Sequence, residues 1–227
     1  MAFTYIANKS YDSASSASIV VDKPIGTDEW DIMVAMIWTN VSWYTTAQPT
    51  WWVLLWKQFI TAFYIETRYK VAGVSEWSDY TRTPVTTSKV SWTIATYRGW
   101  FNTSDPIDVI SNTVYQVDNT TVRAAWMTVT DANSPLIICG WVYDNKVGRS
   151  FTKPTAPTSD WTEDLEIDSN LVSNFTRSFD SMVWSSSWAT WDMDMTLNAS
   201  YAYKWAFAVS LNPDAVPANT TNFFNMF

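Results

Sequence analysis

Seven consecutive apolar residues, Ile32 to Trp38, follow a polar segment that contains Pro24 and Gly26. Proline fixes one φ and glycine accepts positive φ, so the polar segment is typical of a tight loop. A short apolar run rich in Ile, Val and Met, bounded by polar residues, predicts a strand that is buried on both faces. Periodicity alone does not separate such a strand from a buried helix. We take this run as the central strand of the fold.

Elsewhere the chain alternates apolar and polar residues with a period of two. Such segments are Phe59 to Val71, Val90 to Tyr97, Trp191 to Leu197 and Tyr201 to Leu211. In the first of them Glu66, Arg68 and Lys70 fall on one side, which indicates a half-exposed antiparallel strand. Further strands are expected over Thr121–Thr130 and Pro135–Val142, with a loop over Arg98–Ser111.

No segment has a convincing 3.6-residue period, so many short strands separated by turns predict an all-β fold. We expect one antiparallel β-sandwich of the jelly-roll kind over residues 1–213. Residues 214–227 form an apolar C-terminal tail that includes Phe223, Phe224 and Phe227. Such a tail is expected to dock on its own domain or on a neighbouring subunit.

Charge and composition exclude several classes of function. The net charge is −8, which argues against a nucleic-acid partner. There is no histidine and Cys139 is the only cysteine, so His-based catalysis, intrachain disulfides and His/Cys metal sites are excluded. Cys139 lies in an apolar run and is interpreted as a small buried hydrophobe. We expect no enzyme activity, no cofactor and no metal.

The first ten residues lack the basic and apolar regions of a secretory signal, and no apolar run has the length that a membrane span needs. The expectation is therefore synthesis in the cytoplasm without a signal peptide, and no membrane partner.

Two groups of residues are candidates for a site. Trp184, Trp188 and Trp191 lie in a Ser-rich segment and could stack against sugar rings, although core packing or subunit contact is the more common role of aromatic residues. The Phe residues of the tail are candidate interface contacts. The acidic cluster of Asp160, Glu163, Asp164, Glu166 and Asp168 lacks the spacing of a calcium loop, so a solvated acidic surface is favoured. Alternation on a strand explains Asp192 and Asp194, which are rejected as a catalytic pair.

A set of short motifs, in this order, resembles a β-sandwich domain that recurs in the structural proteins of tailed bacteriophages. The landmarks are Lys23-Pro24-x-Gly26-Thr27 with Asp31, Pro49-Thr50-x-Trp52-x-Leu54-Leu55, Arg68 to Gly73, Tyr97-Arg98-Gly99 with Asp105-Pro106-Ile107-Asp108, and Ala206 to Val209 with Asn212-Pro213. The resemblance covers about residues 3–213 and its motifs mark loops and core. It implies a virion component and carries over no catalytic residue.

The resemblance implies a capsid decoration protein or an accessory tail or fibre subunit. Its partners would be the major capsid or tail proteins of the same particle and sister subunits, with a trimer expected. The alternative is a carbohydrate-binding adhesion module that recognises host surface glycans.

Tryptophan often stands where the resemblance leads us to expect glycine. The chain has 16 Trp but only 5 Gly, whereas glycine usually makes up about 7% of residues. One hypothesis is that some of these codons are UGA, translated here as Trp but read as Gly in the source. The alternative is that the tryptophans are genuine and the loops have adapted. The positions concerned are Trp30, Trp51, Trp56, Trp184, Trp188 and Trp191.

Overall fold

A computed structural model gives the fold for residues 3–40, 51–60, 63–83, 87–111, 119–143, 148–156, 158, 160–169, 175–201 and 203–214. Within these ranges the protein is all-β, and the pairing between strands is antiparallel throughout. The strands are β1 (Thr4–Ser16), β2 (Ile19–Asp22), β3 (Ile32–Thr39), β4 (Val53–Ile60), β5 (Phe63–Val71), β6 (Asp79–Arg82), β7 (Ser88–Arg98), β8 (Ile107–Ile110), β9 (Asn119–Ala124), β10 (Ser134–Tyr143), β11 (Phe151–Thr152), β12 (Thr162–Ser169), β13 (Phe175–Trp184), β14 (Met193–Tyr201) and β15 (Tyr203–Leu211).

Two five-stranded sheets form the centre of the molecule. Their strand orders are β1-β7-β3-β5-β4 and β12-β13-β10-β15-β8, and the main hydrophobic core lies between them. A two-stranded sheet, β2-β6, covers the outer face of the first, and a three-stranded sheet, β11-β14-β9, covers the outer face of the second. The predicted sandwich is confirmed, and each of its sheets has an additional covering layer. The jelly-roll topology and the single-domain boundary at residue 213 stay predictions.

Strand β3 is buried on both faces, as its sequence predicts, and the helix alternative is wrong. Ile32, Val34, Met36 and Trp38 point into the main core, while Met33, Ala35 and Ile37 point into the core beneath β2-β6. Every residue of β3 is at most 2% exposed. The position of β3 between two cores explains its unbroken apolar run, because neither face of such a strand is exposed to solvent.

The half-exposed strand predicted over Phe59–Val71 requires two corrections. The segment forms two strands, β4 and β5, and the charged side of β5 is buried because the β2-β6 layer covers it. Glu66 is fully buried between Arg82 of β6 and Arg68, whose Nε lies 3.0 Å from Glu66 Oε1. Burial alone would raise the pKa of Glu66, but the two guanidinium groups outweigh it and hold the pKa below its usual value.

Several other segments differ from the sequence interpretation. Strand β8 lies inside the predicted loop Arg98–Ser111, and the acidic segment around Glu163 forms β12. Strand β1 precedes all the strands expected from the sequence and lies at the edge of its sheet. The tail residues Phe223, Phe224 and Phe227 lie outside the described residues.

Candidate interaction site

The sandwich has two lateral edges, and they differ in polarity. At one of them β4 is the last strand of its sheet and β8 is the last strand of the other. We call this pair of strands the open edge. Its surface carries four large apolar side chains: Val53 is 49% exposed, Leu54 37%, Phe59 47% and Ile110 40%. Scattered apolar side chains are normal on a surface, but several together on one sheet edge indicate a contact site.

A groove of about 280 Å³ runs between β4 and β8 along the open edge. It is lined by Val53, Leu54, Leu55, Tyr69 and Ile107 to Ile110. Asp108 is the only charged residue in this lining, and its carboxylate accepts hydrogen bonds from the Thr130 backbone N–H at 3.0 Å and the Ser210 hydroxyl at 3.2 Å. The groove is therefore largely apolar, and its one carboxylate already has partners within the chain.

The outer backbone edge of β4 is a second feature of the open edge. Among the described residues β4 pairs only with β5, so its outer N–H and C=O groups have no strand partner. The pairing register shifts between Leu54 and Trp56, and Lys57 is the only charged residue of the strand. Bulges and lysines are devices that protect edge strands from unwanted pairing. Here a bulge, Lys57 and Gln58 interrupt a strand whose other residues are apolar.

The opposite edge, formed by β1 and β12, is closed by aromatic stacking and by a buried ion pair. Phe3 stacks on Tyr97 with ring centroids 5.4 Å apart, and Tyr5 meets the same ring edge-on at 5.8 Å. Arg177 of β13 crosses the core to reach Asp12 of β1 at 3.3 Å and also donates a hydrogen bond to Thr93. We call β1 and β12 the closed edge, since the aromatic rings cover the core there and Arg177 ties the two sheets together.

Two acidic side chains lie inside the protein near the closed edge. The register of β12 against β13 shifts around Asp164, and this residue faces Tyr97 and Ser181. Burial raises the pKa of Asp164 to about 7. Burial, together with the nearby Asp164 charge, raises the pKa of Asp180 to about 8. One oxygen of each carboxyl group has no hydrogen-bond partner in the described part of the chain. At pH 7 Asp164 is therefore about half protonated and Asp180 is mostly protonated in the folded protein.

A second surface feature is a cleft of about 470 Å³ between two exposed tryptophans, which we call the tryptophan cleft. Its lining is Trp126, Ala189, Thr190, Trp191 and Asp192. Thr190 fixes the two loops together, because its N–H donates to the Met127 carbonyl at 2.8 Å and its hydroxyl accepts from the Met127 N–H at 3.0 Å.

The structure separates the three tryptophans that the sequence groups together. Trp188 and Trp191 are exposed, whereas Trp184 is only 8% exposed and packs in the core between the second sheet and its cover. Trp126 was not foreseen, because it is distant in sequence and reaches Trp191 only through the folding of the loops. Its isolated position between alanine and methionine carries no pattern from which to find it.

Charged groups beside the tryptophan cleft are already paired. Arg123 binds Asp194 at 2.6 Å and Asp192 at 2.9 Å, and Asp192 also accepts a hydrogen bond from the Trp126 N–H at 3.1 Å. The two carboxylates thus hold a guanidinium group and a loop, which is a structural arrangement.

Acidic residues of β12 also contact groups of their own chain and do not form one acidic surface. Asp168 accepts hydrogen bonds from Gly148 and Thr176, Glu166 accepts one from Phe151, and Asp164 points inward.

Within the described ranges no group of three or more potential ligands is placed to hold a metal ion. The same ranges contain no helix with the length and hydrophobicity of a membrane span. Cys139 is fully buried, as predicted, and burial raises the pKa of its thiol.

Comparisons with protein-family models, with curated proteins and with solved structures found no match.

Proposed function

We propose that this protein is a structural subunit of a bacteriophage or virus-like particle, either a capsid decoration protein or an accessory tail or fibre subunit. The observation that carries the assembly part of the proposal is the open edge, with Val53, Leu54, Phe59 and Ile110 exposed beside an apolar groove. The particle part rests on the resemblance of the motifs between residues 23 and 213 to phage β-sandwich domains.

The mechanism is adhesive. Apolar side chains of the open edge bury against a sister subunit or a major capsid or tail protein, and the outer N–H and C=O groups of β4 hydrogen-bond to the incoming chain. Removal of apolar surface from water contributes about 25 cal/mol per Å². Repeated contact of this kind leads to a cyclic homo-oligomer, for which we propose a trimer.

Sedimentation of the purified protein tests the assembly part. The wild type should sediment as an oligomer, and Leu54→Lys should shift it toward monomer by placing a charge in the buried contact. Thr162→Lys is the matched control, because it adds the same charge at an exposed position of β12 on the closed edge. A wild type that stays monomeric at high concentration, or equal effects of both lysines, would contradict assembly through the open edge.

Mass spectrometry of purified particles from the source tests the particle part. Peptides of this chain should be present at a constant ratio to the major capsid or tail protein. Their absence from washed particles would refute the virion assignment even if the oligomer forms.

The tryptophan cleft supports a second candidate, a module that binds host surface glycans. Two exposed indoles offer flat apolar faces to sugar rings. A glycan array should then show binding that Trp126→Ala and Trp191→Ala abolish. Trp77→Ala, which removes an equally exposed indole outside the cleft, should leave it unchanged. No binding by the wild type would reject this candidate.

A further inference from the structure

Five described residues have φ in the left-handed region, and two of them are tryptophans. They are Gly26 (88°), Gly148 (79°), Asn133 (65°), Trp30 (70°) and Trp51 (85°). Glycine has no Cβ to clash there, and asparagine tolerates this region better than other side chains. A bulky aromatic residue at positive φ is a genuine outlier, and two in one chain require an explanation.

The backbone around Trp30 is fixed by hydrogen bonds on both sides. The Trp30 N–H donates to the Ala72 carbonyl at 2.9 Å, and the Ala72 N–H donates to the Asp31 carbonyl at 2.8 Å. The Asp31 carboxylate accepts from the Asp28 N–H and is held in a two-pronged contact by Arg98, with both bonds at 2.8 Å. The turn therefore determines the φ of residue 30, whatever side chain stands there.

Residue 51 directly precedes an anchored residue, Trp52. The Trp52 side chain is buried and meets the Tyr80 ring edge-on at 5.2 Å, and the Trp52 carbonyl accepts a hydrogen bond from Arg68 at 3.2 Å. The indoles at 30 and 51 gain little in return for their strain, since Trp30 is 58% exposed and Trp51 is 73% exposed. Little apolar burial is available to offset the left-handed backbone at either position.

We propose that residues 30 and 51 are glycines in the protein as its source makes it, because their codons are UGA and the source reads UGA as glycine. The backbone at both positions has the conformation that glycine adopts at no steric cost. The composition agrees, since 5 Gly and 16 Trp in 227 residues reverse the usual balance. UGA also differs from the glycine codon GGA by one base, which makes such a reassignment chemically simple.

The source gene and its protein product give the primary test. Codons 30 and 51 should be UGA, and peptides from the source should have the mass of glycine at both positions. Two tryptophans with structural roles serve as internal controls. Trp161 is buried and donates its indole N–H to the Ala156 carbonyl at 3.1 Å, and Trp52 packs on Tyr80. Both should be encoded by UGG and have the mass of tryptophan. UGG codons at 30 and 51, or tryptophan masses there, would overturn the proposal.

Recombinant variants give an independent test that needs no source material. Trp30→Gly and Trp51→Gly should each raise Tm by about 2–4 °C, because each removes left-handed strain from an exposed position. Trp77→Gly is the matched control. Trp77 is 68% exposed but is not among the described residues with positive φ, so its replacement should not raise Tm. Equal changes in all three variants would show that strain does not distinguish positions 30 and 51.

The source codons also bear on the second candidate function, because the tryptophan cleft is built from tryptophans. Trp56, Trp184, Trp188 and Trp191 do not have positive φ in the described structure, so the backbone gives no reason to replace them. A source that reads UGA as glycine would nevertheless do so at every such codon, and UGA at positions 126 and 191 would remove the tryptophan cleft. The open edge depends on Val, Leu, Phe and Ile, so assembly through it stands or falls separately.

Discussion

The open and closed edges end the same hydrophobic core in different ways. At the closed edge Phe3 and Tyr5 cover Tyr97, and Arg177 reaches across the core to Asp12. At the open edge Leu55 and Ile107 cover the core only in part, and Val53 and Ile110 remain in water. The first edge is covered by side chains of its own chain, whereas the second exposes apolar side chains that a partner would cover in the proposed assembly.

This difference shows that apolar content alone does not identify a core strand. Strands β3 and β4 are both short and apolar, yet β3 lies between two cores whereas β4 is the last strand of its sheet. An edge strand that keeps apolar side chains outward is an aggregation hazard unless it has a partner. The contrast between the edges is therefore the main physical argument for assembly.

The largest expected effect on stability comes from removing the ion pair between Arg177 and Asp12 at the closed edge. Arg177→Met should lower the free energy of unfolding by about 3–4 kcal/mol, because it leaves the Asp12 carboxylate largely buried without its partner. Chemical denaturation with an unchanged m-value would measure this loss.

Arg123→Met is the control for this substitution, since Arg123 also binds carboxylates but is more than one-third exposed. Ion pairs of that kind contribute about 0–1 kcal/mol. If both variants lose the same stability, the closed edge does not depend on its buried pair.

The sandwich and its central strand follow from the sequence, whereas the burial of charged residues does not. The unbroken Ile32–Trp38 run and the alternation over Val90–Tyr97 predict strands correctly because both patterns are local, whereas the alternation over Phe59–Val71 spans two strands. The burial of Glu66 depends on Arg82, which is 16 residues away and lies in a different sheet. The alternating charges in the sequence of β5 are typical of a solvent-exposed face. No pattern within β5 indicates that the β2-β6 sheet covers it.

The tryptophan cleft and the inward position of Asp164 escape prediction for the same reason. Trp126 and Trp191 meet because Thr190 binds the backbone of Met127, a contact across 63 residues. Asp164 turns inward where the pairing between β12 and β13 shifts, and a shift in register has no signature in a single sequence. The open edge was equally hidden, because strand order decides which apolar strand is last.

A smaller effect is expected from pH, and it should appear only at the closed edge. In the folded protein Asp164 stays protonated to about pH 7, whereas in the unfolded chain it ionises around its ordinary value of 3.8. The unfolded chain binds fewer protons between these values, so stability falls as the pH rises from about 4 to about 7. The lowered pKa of Glu66 acts in the opposite sense, but only below its ordinary value of 4.5.

Asp164→Asn removes the carboxyl group and should reduce the loss of stability between pH 5 and pH 8 by about 2 kcal/mol. Denaturation curves at several pH values measure this slope. Thr162→Asn, an exposed substitution on the same strand that involves no carboxyl group, should keep the wild-type slope. Self-association through the open edge should not change over this range if its contacts are apolar. A parallel loss of both properties would mean that the two edges are coupled.

The smallest effect on stability is expected at the open edge itself. Val53→Thr replaces an apolar side chain of similar size that is 49% exposed, so the free energy of unfolding should change by less than about 0.5 kcal/mol. Denaturation at low protein concentration, where the monomer prevails, measures this change in the free energy of unfolding without a contribution from self-association. At high concentration the same variant should dissociate more readily than the wild type, because its hydroxyl would be buried in the contact between subunits without a designated partner. A large loss of monomer stability would instead place Val53 in the core and remove the distinction between the edges. If Val53→Thr barely changes the stability of the monomer but weakens self-association, Val53 lies in a contact between subunits and not in the core.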